Sequence, residues 1–308
     1  MPDRRPILVT GSHRSGTGWV GEMLAASPAP RVGYIWEPFS PLARPGICPA
    51  PFDRWFQYVV AENEAPFRQP VRNMLDFRYH PGAEVRSLRS AKDAVRFARD
   101  WATVSKRRRS HPVPLLKDPI ALFSSEWIAD TFDARVLVLI RHPAAFTNSL
   151  LEKKLRHPFD DFLAQPLMMR ELLADRADEI ARFAEAEQPP LEQSILLWNL
   201  IHEQIARFRE VRPDWLFRRH EDISRDPVSC FRELFECFEL TWTDEVERTV
   251  REHSGEGNPE ETADPTSHRR DSAKAITAWK RRLDPAQIAR IREGTDPVWR
   301  AFYDDVDW

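Results

Sequence analysis

Cysteine is scarce in this sequence: Cys48, Cys230 and Cys237 are the only three in 308 residues. An odd number with no paired spacing argues against a disulfide framework and fits a reducing compartment. Long apolar runs are also missing. No stretch approaches the roughly 20 apolar residues that cross a bilayer. "MPDRRPILVT" (1–10) passes into a strand-like run without the apolar core of a signal peptide. The expectation is a cytoplasmic protein without membrane insertion. Neither sign of charge is in excess, with 45 Lys and Arg against 48 Asp and Glu. The chain as a whole therefore does not suit a polyanion, and any basic site is local. No basic–aromatic ladder points to nucleic acid. No grouping of His, Cys and carboxylates has metal-ligand spacing, so no metal is expected. Repeats, low-complexity segments and a convincing linker are absent too. At this length a single domain over 1–308 is the prior, and a homodimer is compatible with it.

What is present is alternation. "ILVT" (7–10), "VGYIW" (32–36), "VPLLK" (113–117), "RVLVLI" (135–140) and "WLFRR" (215–219) have strand length and few charges, as strands buried on both faces do. Helical patterns fill the spaces at 17–27, 90–104, 121–132, 143–154, 167–187, 191–210 and 226–238. Strand and helix in turn predict an α/β fold, a three-layer α/β/α arrangement of P-loop type around a central parallel sheet, with ligands at the carboxyl ends of the strands. Two regions interrupt the pattern: proline-dense "PFSPLARPGICPAP" (38–51) and polar "HSGEGNPEETADPTSHRRDS" (253–272).

The first strand runs into "GSHRSGTGWV" (11–20), and a strand, a glycine loop and a helix start present backbone N–H groups at a positive helix end, where anions bind. The spacing of Gly11 and Gly16 matches the glycine pair of the nucleotide-triphosphate P-loop, but that motif continues with Lys and then Ser or Thr. Thr17 and Gly18 stand there instead, and the cation is Arg14, earlier in the loop. By itself the stretch also admits a tight strand-to-helix turn with a surface arginine. A second stretch, "LVLIRHPAAFTNSL" (137–150), sets Arg141 directly after an apolar strand and Ser149 two helical turns further on, although an arginine at a strand end taken singly more often caps something structural. Arginine presents a planar fork to a phosphate.

With both motifs in order, the sequence resembles the sulfotransferases that use 3′-phosphoadenosine 5′-phosphosulfate (PAPS) and release 3′,5′-adenosine diphosphate (PAP). "HRSGTGWV" is similar to the arginine-type first motif of carbohydrate and tyrosylprotein members. The resemblance implies that His13, Arg14, Ser15, Gly16, Thr17, Gly18 and Trp19 surround the 5′-phosphosulfate, although Trp19 also reads as helix core. It implies that Arg141 and Ser149 hold the 3′-phosphate. "RRHEDISRDP" (218–227) and "HRRDSAKAITAWK" (268–280) extend the resemblance, with His220 near the adenine and Arg269 and Arg270 closing over the 3′-phosphate.

For catalysis, the resemblance implies Arg14 at the leaving group, Lys117 in "LLKDP" (115–119) as a second cation and Glu37 in "YIWEPF" (34–39) as general base. Small-molecule cytosolic members have a histidine two residues after that lysine, where this chain has Pro119. Asp118 is a reserve candidate for the base. Acceptor-shaping insertions are expected around 38–112 and 153–190, and a nucleotide-closing segment around 253–308. The implied partner is a small-molecule or carbohydrate hydroxyl, and the implied cofactor is PAPS without metal. An ATP-using P-loop kinase and a non-catalytic PAP- or nucleotide-binding protein are the rivals.

Overall fold

Five apolar stretches pair side by side, all in parallel, in the order β2-β3-β1-β4-β5. In this computed structural model, residues 4–255, 257–259 and 269–308 are described. The strands are β1 (Ile7–Gly11), β2 (Val32–Trp36), β3 (Val113–Lys117), β4 (Arg135–Ile140) and β5 (Leu216–Arg219). Between β1 and β3 lie α1 (Thr17–Ala25), α2 (Ala65–Leu75), α3 (Pro81–Ser87) and α4 (Ala91–Ser110). α5 (Ser125–Phe132) precedes β4, and α6 (Pro143–Lys153), α7 (Asp160–Leu163), α8 (Pro166–Glu171), α9 (Ala177–Glu185) and α10 (Pro190–Val211) precede β5. α11 (His220–Arg225), α12 (Pro227–Cys237), α13 (Asp244–Ser254), α14 (Ser272–Ala275), α15 (Trp279–Arg282) and α16 (Pro285–Gly294) follow.

Alternate residues of a strand point to opposite faces, and both faces of this sheet are apolar. Ile7, Val9, Leu115, Leu137 and Leu139 pack under α1, α12 and α13 through Val20, Leu24, Phe231, Leu234 and Val250. Leu8, Leu116, Val136, Val138 and Ile140 face the other way, onto Ile128 and Phe132 of α5 and Leu200 and Ile201 of α10. The expected three layers are there.

The helical expectations differ at three places. The segment 167–187 is two helices with a 3-10 turn at Ala174–Arg176 between them. Met168, Leu173 and Ile180 are all buried, yet five residues of straight helix rotate a side chain about 140° off its starting face. The break lets Leu173 reach the core. The segment 121–132 begins as a 3-10 turn, Pro119–Ser124, capped by Asp118, before α5. Third, α4 runs to Ser110, six residues beyond its expected end, and closes on Arg107, Arg108 and Arg109, cations at the negative end of a helix dipole. Residues 38–51 contain neither helix nor strand, whereas the rest of the 38–112 insertion carries α2, α3 and α4.

Candidate active site

β1 ends the loop's approach from the sheet, and the loop bends sharply: Gly11, Arg14 and Gly16 have φ of 128°, 66° and 85°. Gly16 caps α1 with no side-chain cap, and the first turn has no acidic residue. Its free N–H groups and its dipole suit an anion. Ser15 turns its hydroxyl back to the Ser12 carbonyl, so the loop offers backbone donors rather than the Ser15 Oγ.

The sheet order brings the second motif to the first. β4 lies beside β1, with Gly11 opposite Leu139, so the chain leaves β4 next to the loop. Arg141 Nη1 donates to the Arg14 carbonyl at 3.3 Å, and Arg14 Nε donates to Ser149 Oγ at 3.0 Å. Arg141 is buried, which pushes its pKa down, and Glu221 at 3.5 Å opposes that shift. Glu221 also accepts from the His142 N–H at 3.1 Å and from the Tyr303 hydroxyl at 2.8 Å. Trp198 Nε1 donates to the Arg141 carbonyl at 2.9 Å. Arg14, Arg141, Asn148, Ser149, Arg270 and Arg282 line a small cavity of about 30 Å³ here.

A larger cavity of about 440 Å³ adjoins it and shares Arg14, Arg141 and Arg270. Glu37 and Lys117 meet in its wall because β2 and β3 are neighbours, with Trp36 opposite Lys117. The Lys117 ammonium pairs with Glu37 Oε1, the Glu37 N–H donates to the Lys117 carbonyl at 2.9 Å, and Nζ lies 5.2 Å from the Trp36 ring centroid. Glu37 adopts φ 40°, a turn that brings its side chain back over the strand end. Asp118 is different. It is fully buried and accepts from the Phe39 and Ile120 N–H groups at 2.7 and 3.1 Å. Burial pushes its carboxyl up to about 7. Asp118 holds the two strand ends together and does not line the cavity.

His13, Gly16, Thr17, Gly18, Trp19 and His220 also line the large cavity. Trp19 does so from a buried position, edge-on to the rings of Phe231 and His220. Burial, with Arg141 and Arg270 nearby, holds His220 well below its ordinary pKa, and its Nε2 lies 3.3 Å from Ser224 Oγ. Of the basic pair, Arg270 lines both cavities, whereas Arg269 lines neither and faces Glu252 at 3.7 Å. A basic pair on an extended segment sends its side chains to opposite sides.

Several lining residues escape a reading of the sequence: Trp36, Trp55, Phe56, His157, Asn148 and Arg282. "EKKLRH" (152–157) reads equally as a basic run for an acidic acceptor and as a charged helix end; α6 stops at Lys153, and the chain returns His157 to the cavity. Only Asn148 carried a signal, as the neighbour of Ser149. Among the described residues no group of three or more His, Cys, Asp or Glu is arranged to hold a metal, and no helix is long and apolar enough to cross a membrane.

A doubly flanked parallel sheet with a glycine loop and converging arginines at its carboxyl edge defines a P-loop-type α/β fold. The sequence model described as "Sulfotransferase family" matches residues 6–244. The chain belongs to the sulfotransferase family and is a sulfotransferase. No curated protein sequence matches it significantly. Among solved structures it is similar to the sulfotransferase domain of the Synechococcus PCC 7002 olefin synthase, at 16% identity, covering 99% of this chain and 98% of that one with a TM-score of 0.49. It is also similar to mouse sulfotransferase SULT7A1 complexed with PAP, at 11% identity, 99% and 88% coverage and a TM-score of 0.47. A third is retinol dehydratase in complex with retinol and PAP, at 15% identity, 97% and 83% coverage and a TM-score of 0.40. These likenesses are distant, and the family assignment rests on the sequence match.

Proposed function

We propose that this sulfotransferase takes its sulfuryl group from PAPS and delivers it to a hydroxyl, with Glu37 as general base. The supporting observation is the meeting of Arg14 with Arg141 and Ser149 beside a small, arginine-lined cavity that opens on a larger one. That arrangement suits a ligand with two separated anionic ends. Gly16 supports it further: a Cβ there would lie 2.4 Å from His220 Nδ1, so the loop needs glycine to pass so near.

When bound, PAPS supplies an activated sulfuryl group on a phosphate that leaves readily. The chain's part is positional and electrostatic. The start of α1 and Arg14 hold the 5′ end, and Arg141, Ser149 and Arg270 the 3′ end. Lys117 grips Glu37 Oε1, which leaves Oε2 to take the acceptor's proton. By resemblance alone the arginine-type loop and Glu37 point to a carbohydrate hydroxyl; the lining of the large cavity favours a less polar acceptor. Asp118 has both oxygens engaged by backbone, so it serves the scaffold in this scheme.

Calorimetry with PAP and with ATP, each without and with magnesium, tests the donor. PAP is expected to bind at least tenfold tighter. Stronger ATP binding, or a requirement for magnesium, overturns it. Glu37→Gln is expected to lower turnover of labelled PAPS by about 100-fold or more while PAP affinity stays within about threefold. An active variant removes Glu37 as the base.

A further inference from the structure

The large cavity has two unlike ends. Toward the loop and α14 it carries Thr17, Arg141, Ser224, Arg270 and Ser272. Toward β2, β3 and the segment after α6 its wall is Trp36, Trp55, Phe56, Ile120, Leu155 and Pro158. Among the described residues the lining includes no Asn, Gln or Asp. A sugar has a hydroxyl on most of its carbons, and each one buried without a partner costs about 1–3 kcal/mol. An aromatic or aliphatic body loses nothing by lying against those rings and gains by leaving water.

Five polar side chains line this apolar end, and a sixth, Glu187, stands beside it. Glu37 and Lys117 pair with each other, and Arg156 pairs with Glu187. The other polar groups are His13 and His157, whose rings meet Phe56 from two sides at centroid distances of 6.0 and 5.4 Å. His13 Nδ1 and His157 Nε2 are enclosed with no hydrogen-bond partner among the described residues, whereas the opposite ring nitrogens, His13 Nε2 and His157 Nδ1, are not enclosed, and both rings line the cavity. Burial holds both imidazoles neutral, at about 4 for His13 and about 3 for His157. A neutral imidazole has one donor and one acceptor to offer. Ring packing alone would be served as well by phenylalanine, as it is at Phe146 and Phe162 in the same cluster.

On the footing of the sulfuryl-transfer reading, we propose that the acceptor is an apolar-bodied phenol or alcohol bearing one further hydrogen-bonding group, and that His13 and His157 hold that group. His13 then serves the acceptor rather than the donor nucleotide, consistent with its lining the large cavity and not the small one.

The full chain is assayed with PAPS on three probes: 2-naphthol, methyl 6-hydroxy-2-naphthoate, whose ester carbonyl accepts a hydrogen bond, and N-acetylglucosamine. The naphthols are expected to exceed the sugar at least tenfold in kcat/KM, and the ester to exceed 2-naphthol about tenfold. His157→Phe is expected to bring the ester-to-naphthol ratio near one, mainly through KM, and His157→Gln to restore part of it. His13→Asn provides a second reading of the same ratio should His157→Phe fail to bind PAP. A preference for the sugar, or a ratio that neither position moves, overturns the inference while PAP binding stands. A wild-type chain that binds no PAP takes down the transfer reading, and the inference with it.

Discussion

Glu221 lines neither cavity, yet it decides the state of Arg141. It is 4% exposed and holds three groups at once: the Arg141 guanidinium, the His142 N–H and the Tyr303 hydroxyl. Glu221→Gln keeps an amide in reach of the last two and removes the charge that offsets Arg141. Breaking a buried pair from one side costs about 3–5 kcal/mol, because the other charge is left alone. The ligand-free variant is therefore expected to melt well below wild type. A phosphate arriving at the stranded guanidinium repairs more in the variant than in the parent, so PAP is expected to raise the melting temperature of Glu221→Gln by more than it raises that of wild type. A smaller rise would mean that Glu221 acts by aiming Arg141, and that its charge is secondary.

At the scale of elements, two glycines fix how closely β1, β4 and α11 approach the loop. A Cβ at Gly11 would lie 2.2 Å from the Leu139 carbonyl oxygen, inside the sheet, whereas one at Gly16 would lie 2.4 Å from an imidazole nitrogen of His220. Backbone in a central strand has nowhere to go, but a side chain does. Gly11→Ala is expected to destabilise by about 3 kcal/mol or more and Gly16→Ala by less, as read by denaturant unfolding. Adding His220→Ala should recover part of the Gly16→Ala loss and none of the Gly11→Ala loss. Much of this arrangement is legible in the sequence, because apolar strand runs and a glycine loop are local signals. Arg141 and Ser149 were singled out by the family resemblance, and the strand end and helix that carry them are local features. Glu221, Phe56 and His157 were not legible, since they matter only through where the chain returns. His157 looks like the tail of a charged helix until the left-handed cap at Lys154 turns it inward.

For the molecule as a whole, the enclosed titratable groups set the pH range in which the fold persists. Burial holds His142, His157 and His202 down to about 3 and His13 to about 4, with His220 also well below its ordinary value. Each binds a proton more readily unfolded than folded. Their contribution is complete above about pH 6.5 and is lost as pH falls toward the folded values. Asp118 works the other way: with its carboxyl pushed up to about 7, the folded state gains stability as pH falls from there toward the unfolded carboxylate value near 4. Each group changes stability by at most about 1.4 kcal/mol per pH unit, so five histidines outweigh one aspartate. Melting temperatures measured from pH 8 to pH 4 are expected to hold nearly level to about 6.5 and then drop steeply. A curve that stays level to pH 4 would mean that the folded chain protonates these imidazoles about as readily as the unfolded one.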